Sequence, residues 1–147
     1  MDFTDTLSLL RRGMLALLAL GCVGLLSELF LLEHYGEWQQ FIPLALLTLT
    51  LLVILWHWTT GERRSLRALQ LQGILLVIGG SVGMVFHLLE NLEAERDLNP
   101  ESVGWVLFRE IFRGDAPALA PGTLVQFGLF ALLYAYRHPA LKKPPTA

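Results

Sequence analysis

The sequence predicts an all-α integral membrane protein: a bundle of four transmembrane helices with a short interfacial helix between the third and the fourth. Two observations predict this fold. Four stretches of about 18 to 22 residues carry almost no charge, and each is long enough to cross a hydrocarbon core of about 30 Å as a helix. Only 16% of the 147 residues are charged, well below the roughly 25% of soluble domains. Too little chain is left for a soluble core, so we expect one transmembrane domain over residues 1–138.

The four stretches are apolar on all sides, which is typical of helices embedded in lipid. In order, they cover Met14–Leu32, Phe41–Trp58, Leu69–Leu89 and Ala118–Tyr136. A helix is favoured as the spanning structure because it satisfies its own backbone hydrogen bonds. A cleaved signal peptide at the first span is disfavoured, since the apolar run is too long and no A-x-A site follows it.

The connection after the third span contains a further predicted helix. The third helix should continue beyond the membrane to Leu98, because proline at position 100 disfavours helix at Asn99. Asn99 can then cap an amphipathic helix over Pro100–Phe112. We expect this helix to lie on the outer surface of the membrane, either as a plain connector or as a lid over an outward-facing pocket. Residues 139–147 are rich in proline and are expected to form a disordered cytoplasmic tail.

Positive charges determine the predicted orientation. Eight of the eleven Lys and Arg residues fall on the side that holds the N-terminus, the loop over residues 59–68 and the C-terminal tail. The positive-inside rule therefore places both termini in the cytoplasm. We expect the protein in a plasma membrane or a bacterial inner membrane. Nine of the thirteen Asp and Glu residues fall on the opposite side, which gives an acidic outer face that attracts cations. The sequence has no basic face of the kind that binds nucleic acid.

Polar side chains from three spans are predicted to meet in the outer half of the bundle. Glu28 lies about five residues from the outer end of the first span, on a helix face that also carries glycines. An intramembrane carboxyl is costly, and it indicates a functional site by default. His87 and Glu90 are three residues apart on the third span and so share one side of that helix. We therefore expect Glu28 to point into the bundle, at the level of His87.

The chemistry of this cluster favours a metal ion or another cation. Histidine and carboxylate ligands suit zinc, iron or manganese better than calcium, so the predicted ligands are His87, Glu90 and Glu28. His34 in the first outer loop and Gln126 on the fourth span are secondary candidates. The first hypothesis is a small membrane protein with an outward-facing site for a divalent transition metal or another cation.

Two alternative functions stay open. In the second hypothesis the protein is a structural or accessory subunit of a larger membrane complex or a homo-oligomer, and the polar cluster only holds helices together. In the third it is a proton-coupled carrier or a quinone-reactive enzyme that works as an oligomer, with Glu28 as the proton-relay carboxyl. No catalytic residue can be assigned, because no G-x-G-x-x-G, Walker, H-E-x-x-H or C-x-x-C motif occurs.

The remaining histidines are interpreted as structural. His57, at the cytoplasmic end of the second span, is expected to lie at the membrane interface, and His138 in the tail. A haem held by two histidines is not favoured, because His57 and His87 lie on opposite sides of the membrane and His34 is in a loop.

Overall fold

The structure, a computed structural model that describes residues 3–141, is all-helical over those residues and contains no strand there. The α-helices are α1 (Phe3–Leu31), α2 (Phe41–Thr60), α3 (Arg63–Leu98), α4 (Gly104–Arg113) and α5 (Gly122–Ala135). Short 3-10 turns cover Trp38–Gln40 and Pro139–Leu141. The predicted all-α class is confirmed.

Three of these helices, α1, α2 and α3, are long and apolar enough to cross a membrane. The fourth predicted span contains α5, which is apolar but has only 14 residues. Tight turns over residues 118–121 lead into it, and hydrogen bonds such as that from the Ala120 N–H to the Pro117 carbonyl hold them. The helix itself therefore begins at Gly122, four residues after the predicted start of the fourth span at Ala118.

The helices α3 and α5 run antiparallel and pack closely against each other. Gly83 of α3 lies against Pro121, which precedes α5, and Gly73 lies against Gly128 further along both helices. At that second crossing the backbones touch, since a Cβ atom at Gly128 would lie 2.5 Å from the Gly73 carbonyl oxygen. Small residues at such crossings let helices in membranes approach and gain dispersion contacts. The glycine pair thus fixes α5 along the apolar part of α3.

The first helix packs against both α2 and α5. Its buried side carries Leu15, Leu18 and Cys22. The ring of Phe127 from α5 occupies the space beside Gly21. Nearer the start of α1, Arg11 donates hydrogen bonds to the backbone carbonyls that follow α5, those of Tyr136 (3.4 Å) and Arg137 (3.3 Å). These contacts join the first helix of the chain to the fifth.

The connection between α2 and α3 is shorter than predicted. The sequence predicts a loop over residues 59–68, whereas only Gly61 and Glu62 separate the two helices. Gly61 ends α2 in the left-handed conformation, with φ 61°, and its N–H donates to the His57 carbonyl. The basic residues of the predicted loop therefore lie in the first turns of α3: Arg63, Arg64 and Arg67.

The start of α4 also differs from the prediction. The third helix ends at Leu98, before the proline, as predicted, but the next helix begins at Gly104 instead of Pro100. The physical reason is the carboxylate of Glu95, which accepts hydrogen bonds from the side chains of Asn99 (3.2 Å) and Ser102 (2.8 Å). Asn99 is thereby turned back toward α3 and does not cap a new helix.

The predicted disordered tail begins with ordered backbone. Residues 139–141 form a 3-10 turn in which Ala140 is buried, and its N–H donates to Nδ1 of His138. The predicted tail therefore starts too early. Its remaining part, residues 142–147, lies outside the described residues.

Candidate functional site

Polar clusters lie at both ends of the helices. We call one the His87 end, where α1 ends, α2 begins and α4 packs against α3. We call the other the His57 end, where α2 passes into α3 and α5 ends. The predicted metal ligands belong to the His87 end, whereas the sequence does not predict a site at the His57 end.

The ring of His87 is oriented by the segment that leads into α5. Its Nδ1 lies 3.1 Å from the carbonyl oxygen of Pro117. Because a carbonyl only accepts, Nδ1 carries the proton in this contact, and Nε2 of the neutral ring keeps its lone pair. Histidines that bind metals are commonly oriented in this way, through a hydrogen bond from the other ring nitrogen to a carbonyl. The Nε2 atom of His87 is therefore left with a lone pair that can accept a hydrogen bond or bind a metal ion.

One turn beyond His87, Asn91 fixes the same segment of chain. Asn91 is buried, and its Nδ2 donates to the carbonyl oxygens of Ile111 (2.8 Å) and Ala116 (2.7 Å). Its Oδ1 accepts a hydrogen bond of 3.0 Å from the Ala116 N–H. One side chain of α3 thus holds both the last turn of α4 and the loop that follows it.

Two further predicted residues lie close enough to His87 for their charges to interact. Burial lowers the pKa of His34, the neighbouring His87 lowers it further, and the carboxylate of Glu90 acts in the opposite direction. His34 is partly buried and Glu90 is exposed. Three of the five predicted site residues therefore lie within range of each other's charges.

Glu28 and Gln126 do not join this group. Both are exposed, Glu28 on α1 and Gln126 on α5. Among the described residues no hydrogen bond or ion pair engages the carboxylate of Glu28. The prediction that Glu28 points into the bundle is wrong for the single chain, because the side of α1 that packs inward is the one that carries Leu18 and Cys22.

The described residues contain no group of three or more His, Cys, Asp or Glu side chains arranged to hold a metal ion. His34, His87 and Glu90 offer suitable donor atoms for zinc, iron or manganese. In this arrangement they form an incomplete ligand set, and the metal site stays a prediction.

At the His57 end, His57 is buried and hydrogen-bonded on both sides of its ring. It is only 4% exposed. Its Nδ1 lies 2.8 Å from the hydroxyl of Ser65, and its Nε2 lies 2.9 Å from the hydroxyl of Tyr134. The sequence predicts an interfacial histidine and no partners for it; in the structure the ring of His57 links α2, α3 and α5.

The direction of each hydrogen bond in this network follows from Ser65. The Ser65 hydroxyl donates to the carbonyl oxygen of Glu62 at 2.8 Å, so it accepts from His57. The proton of the imidazole is then on Nδ1, and Nε2 accepts from the hydroxyl of Tyr134. Every polar atom of the ring is satisfied in the neutral form, which is the form that burial favours.

His138 packs on this network and orders the segment after α5. The centroid of its ring lies 5.7 Å from that of His57 and 5.2 Å from that of Tyr134. Its Nδ1 accepts the Ala140 N–H, which requires the neutral ring. Burial lowers the pKa of His138 to about 4, and the positive charge of Arg11 and the neighbouring His57 lower it as well.

A third polar contact lies between the two ends. Gln72 of α3 donates from Nε2 to the Leu46 carbonyl (2.8 Å) and to the hydroxyl of Thr50 (3.2 Å). The Thr50 hydroxyl in turn donates to the Leu46 carbonyl in its own helix. Gln72 and Thr50 are both buried, so this contact joins α2 to α3 inside the apolar layer.

Comparison with protein-family models, with curated proteins and with solved structures gives no match. The residues that sequence reasoning missed are Asn91 and the partners of His57. A signal for Asn91 and Gln72 was present, since each places an amide within or next to an apolar run. For His57 the only signal was that Ser65 and Tyr134 fall near the same ends of their helices.

Proposed function

We propose that this protein is a structural or accessory subunit that associates with another membrane-embedded chain along one side of α1. The observation that carries the proposal is the exposure of Glu28, an ionisable side chain within an apolar run, for which residues 3–141 offer no hydrogen-bond or ion-pair partner. An intramembrane carboxyl facing lipid is costly. A hydrogen bond to a second helix removes that cost, and polar side chains in membranes commonly bond across helices in this way.

The residues next to Glu28 support this use of α1. A Cβ atom at Gly24 would meet nothing within 4 Å, and Leu20 and Leu31 are 68% and 85% exposed. We call these residues, with Glu28, the Glu28 side of α1. The apolar segment of α1 is also less buried than those of the other two long helices. The buried share of its residues is 17%, against 28% for α2 and 22% for α3. Helices in membranes pack on surfaces that combine a small residue with a polar one.

The polar residues inside the protein favour a structural role. All the buried polar side chains in the described part of the chain form hydrogen bonds with groups of that same chain: Thr50, His57, Ser65, Gln72 and Asn91. Since satisfied networks of this kind rigidify a core, we interpret them as locks between helices. The third hypothesis, a proton carrier or quinone-reactive enzyme, gains no support from them.

The proposed topology has four transmembrane helices, α1, α2, α3 and α5, with both termini in the cytoplasm of a bacterial cell and α4 at the outer surface. Two contacts support α5 as the fourth span. Pro121 lies against Gly83. Near the other end of α5, Tyr134 is hydrogen-bonded to His57, which is in turn hydrogen-bonded to Ser65 at the start of α3. The 14 residues of α5 rise about 21 Å as a helix, and α5 runs beside α3 over that length. The excess of Lys and Arg at the His57 end supports the orientation.

Photo-crosslinking in native membranes tests the subunit proposal. The photoreactive residue p-benzoylphenylalanine replaces Leu20 or Leu31 on the Glu28 side. It also replaces Leu52 of α2 or Leu129 of α5, which are 58% and 55% exposed and serve as matched controls. We expect one product of discrete mass from the α1 positions and none from the controls. Equal labelling at all four positions would contradict the proposal.

Substitutions of the carboxyl sharpen the same experiment. Glu28→Leu should remove the product, whereas Glu28→Gln should retain it, because an amide can still form a hydrogen bond across the interface. Glu93→Leu removes an exposed carboxylate beyond the apolar run of α3 and should change nothing. A product that survives Glu28→Leu would show that the carboxyl does not hold the partner.

A second candidate function is the binding of zinc, iron or manganese at the His87 end. The free Nε2 of His87, oriented through Pro117, favours it, together with His34 and Glu90 nearby. A complete site then takes further ligands from water or from the partner chain. The acidic residues at this end raise the local concentration of cations.

Metal content tests this second function. The protein is purified in detergent without chelators, and zinc, iron and manganese are measured by inductively coupled plasma mass spectrometry. Near-stoichiometric metal in the wild type, lost in His87→Ala and His34→Ala but kept in Glu93→Ala, supports the site. A wild-type protein without metal contradicts it.

A further inference from the structure

The short helix α4 has two apolar sides, and the described chain covers only one of them. Leu107 and Ile111 are partly buried on the side that packs against α3. Trp105, Phe108 and Phe112 lie on another side and are 73%, 51% and 43% exposed. We call these three residues the aromatic face of α4.

The aromatic face is a continuous surface. The ring centroids of Trp105 and Phe108 are 5.2 Å apart and the rings are stacked, and those of Phe108 and Phe112 are 4.9 Å apart. Each ring thus supports the next along the helix. An exposed row of three aromatic rings in a water-facing segment requires an explanation, since soluble surfaces rarely keep such patches open.

The path of α4 places this face beside the membrane. Ser102 contacts Glu95, and the end of α4 at Ile111 contacts Asn91. Those partners are about 6 Å apart along α3, whereas α4 alone rises about 11 Å from Gly104 to Ile111. Helix α4 therefore crosses α3 obliquely and does not run along it. Because α3 crosses the bilayer in the proposed topology, α4 lies closer to the membrane plane than to its normal.

The level and the charges of α4 fit the headgroup region. Its last turn is fixed to Asn91, which comes two residues after Leu89, the end of the apolar run. Arg109 and Arg113 project beside the aromatic face at helical spacing, and Arg109 is paired with Glu110. Rings that enter the headgroup and acyl boundary while arginines face phosphates are typical of interfacial helices.

We infer that the aromatic face of α4 is a lipid-docking surface, occupied by the phospholipids of the outer leaflet, with Arg109 and Arg113 at their phosphate groups. This inference rests on the proposed topology of α3. It makes α4 an anchor: with its aromatic face in lipid and its other side fixed to Asn91, the helix has no freedom to act as a lid over the His87 end.

Depth-dependent fluorescence quenching tests the inference on the full-length chain. Trp38, Trp56 and Trp58 are changed to Phe, which leaves Trp105 as the one reporter. The protein is reconstituted into vesicles of phosphatidylcholine and phosphatidylglycerol. Some vesicles contain lipids brominated near the headgroup end of the acyl chain. We expect brominated lipid to quench Trp105 and aqueous iodide to leave it almost unchanged. Phe108→Glu should reverse both results.

A second reporter separates the failure of this inference from the failure of the proposed topology. The matched variant keeps Trp56, in the apolar run of α2, and changes the other three tryptophans to Phe. If lipid quenches Trp56 while iodide quenches Trp105, the helices insert but α4 does not dock, and the inference is overturned. Shielding of Trp105 from both quenchers, as a protein partner would cause, also overturns it. Because the subunit proposal is tested by crosslinks from Leu20, it stands or falls separately.

Discussion

Tyr134 donates its hydroxyl proton to Nε2 of His57 across 2.9 Å and so ties α5 to α2 through a buried neutral imidazole. The same ring donates from Nδ1 to Ser65 of α3. Three helices therefore meet at one side chain, and the hydrogen bond from Ser65 to the Glu62 carbonyl favours the tautomer that is protonated on Nδ1.

Removal of the Tyr134 hydroxyl should destabilise the protein. Tyr134→Phe leaves the buried Nε2 of His57 without a donor, at a cost of about 1–3 kcal/mol in the free energy of unfolding. Tyr136→Phe is the matched control, because Tyr136 is 62% exposed, and it should change little. The free energies are measured in mixed micelles of dodecyl maltoside and dodecyl sulfate. In a double-mutant cycle with His57→Leu, the effects should be less than additive. Equal stability of the two tyrosine variants would refute the role of the network.

The contact between Gly73 and Gly128 should not tolerate a methyl group. Gly128→Ala places a Cβ atom 2.5 Å from the Gly73 carbonyl oxygen, and overpacking of this kind costs about 1–3 kcal/mol. Gly13→Ala, where a Cβ meets nothing within 4 Å, should be neutral or slightly stabilising. Thermal unfolding in detergent compares the two variants. A Gly128→Ala protein as stable as Gly13→Ala would show that α3 and α5 do not approach so closely.

Asn91 should control the order of the loop before α5. Asn91→Ala removes the donor to the Ile111 and Ala116 carbonyls and the acceptor for the Ala116 N–H. We expect amide hydrogen exchange over residues 111–117 to become faster, while exchange in α5 is little changed. Asn99→Ala, which removes one exposed hydrogen bond to Glu95, is the control. Unchanged exchange in Asn91→Ala would mean that other contacts fix the loop.

Stability should fall as the solution is acidified through the titration range of His138. Its pKa in the folded protein is lowered to about 4 from the ordinary 6.5, so the unfolded chain binds the proton more readily. The contribution of the neutral ring is therefore complete above pH 6.5 and is lost as the pH falls toward 4. His138→Gln lacks this ring, and its stability should depend less on pH in that window. Parallel curves for the two proteins would exclude the effect.

The sequence was sufficient to predict the parts of the fold that depend on local pattern. Apolar length predicted α1, α2 and α3, and proline at position 100 predicted the end of α3 at Leu98. The predicted start of α4 was wrong because the true start depends on the contact of Ser102 with Glu95, seven residues earlier in the chain. Propensity rules for helix starts do not contain that contact.

In the candidate site, too, the features set by local sequence were predictable and those set by distant contacts were not. His87 and Glu90 share a helix, so their proximity was predictable, whereas the direction of Glu28 depended on how α1 is rotated in the bundle. The glycines of α1 gave a misleading signal. Gly21 packs against Phe127, but Gly24 faces open space, so they mark the edge of the packed side and not its centre. The partners of His57 lie 8 and 77 residues away, and only the assembled bundle brings them together.

The contact between α1 and α5 has a consequence for biosynthesis. The first helix leaves the ribosome long before Phe127 and the carbonyls that Arg11 contacts have been made. Until α5 is translated, the inward side of α1, with Cys22, has only α2 beside it. The bundle therefore closes as a late event, and a nascent chain that stalls before residue 122 presents an open groove to chaperones and quality-control proteases.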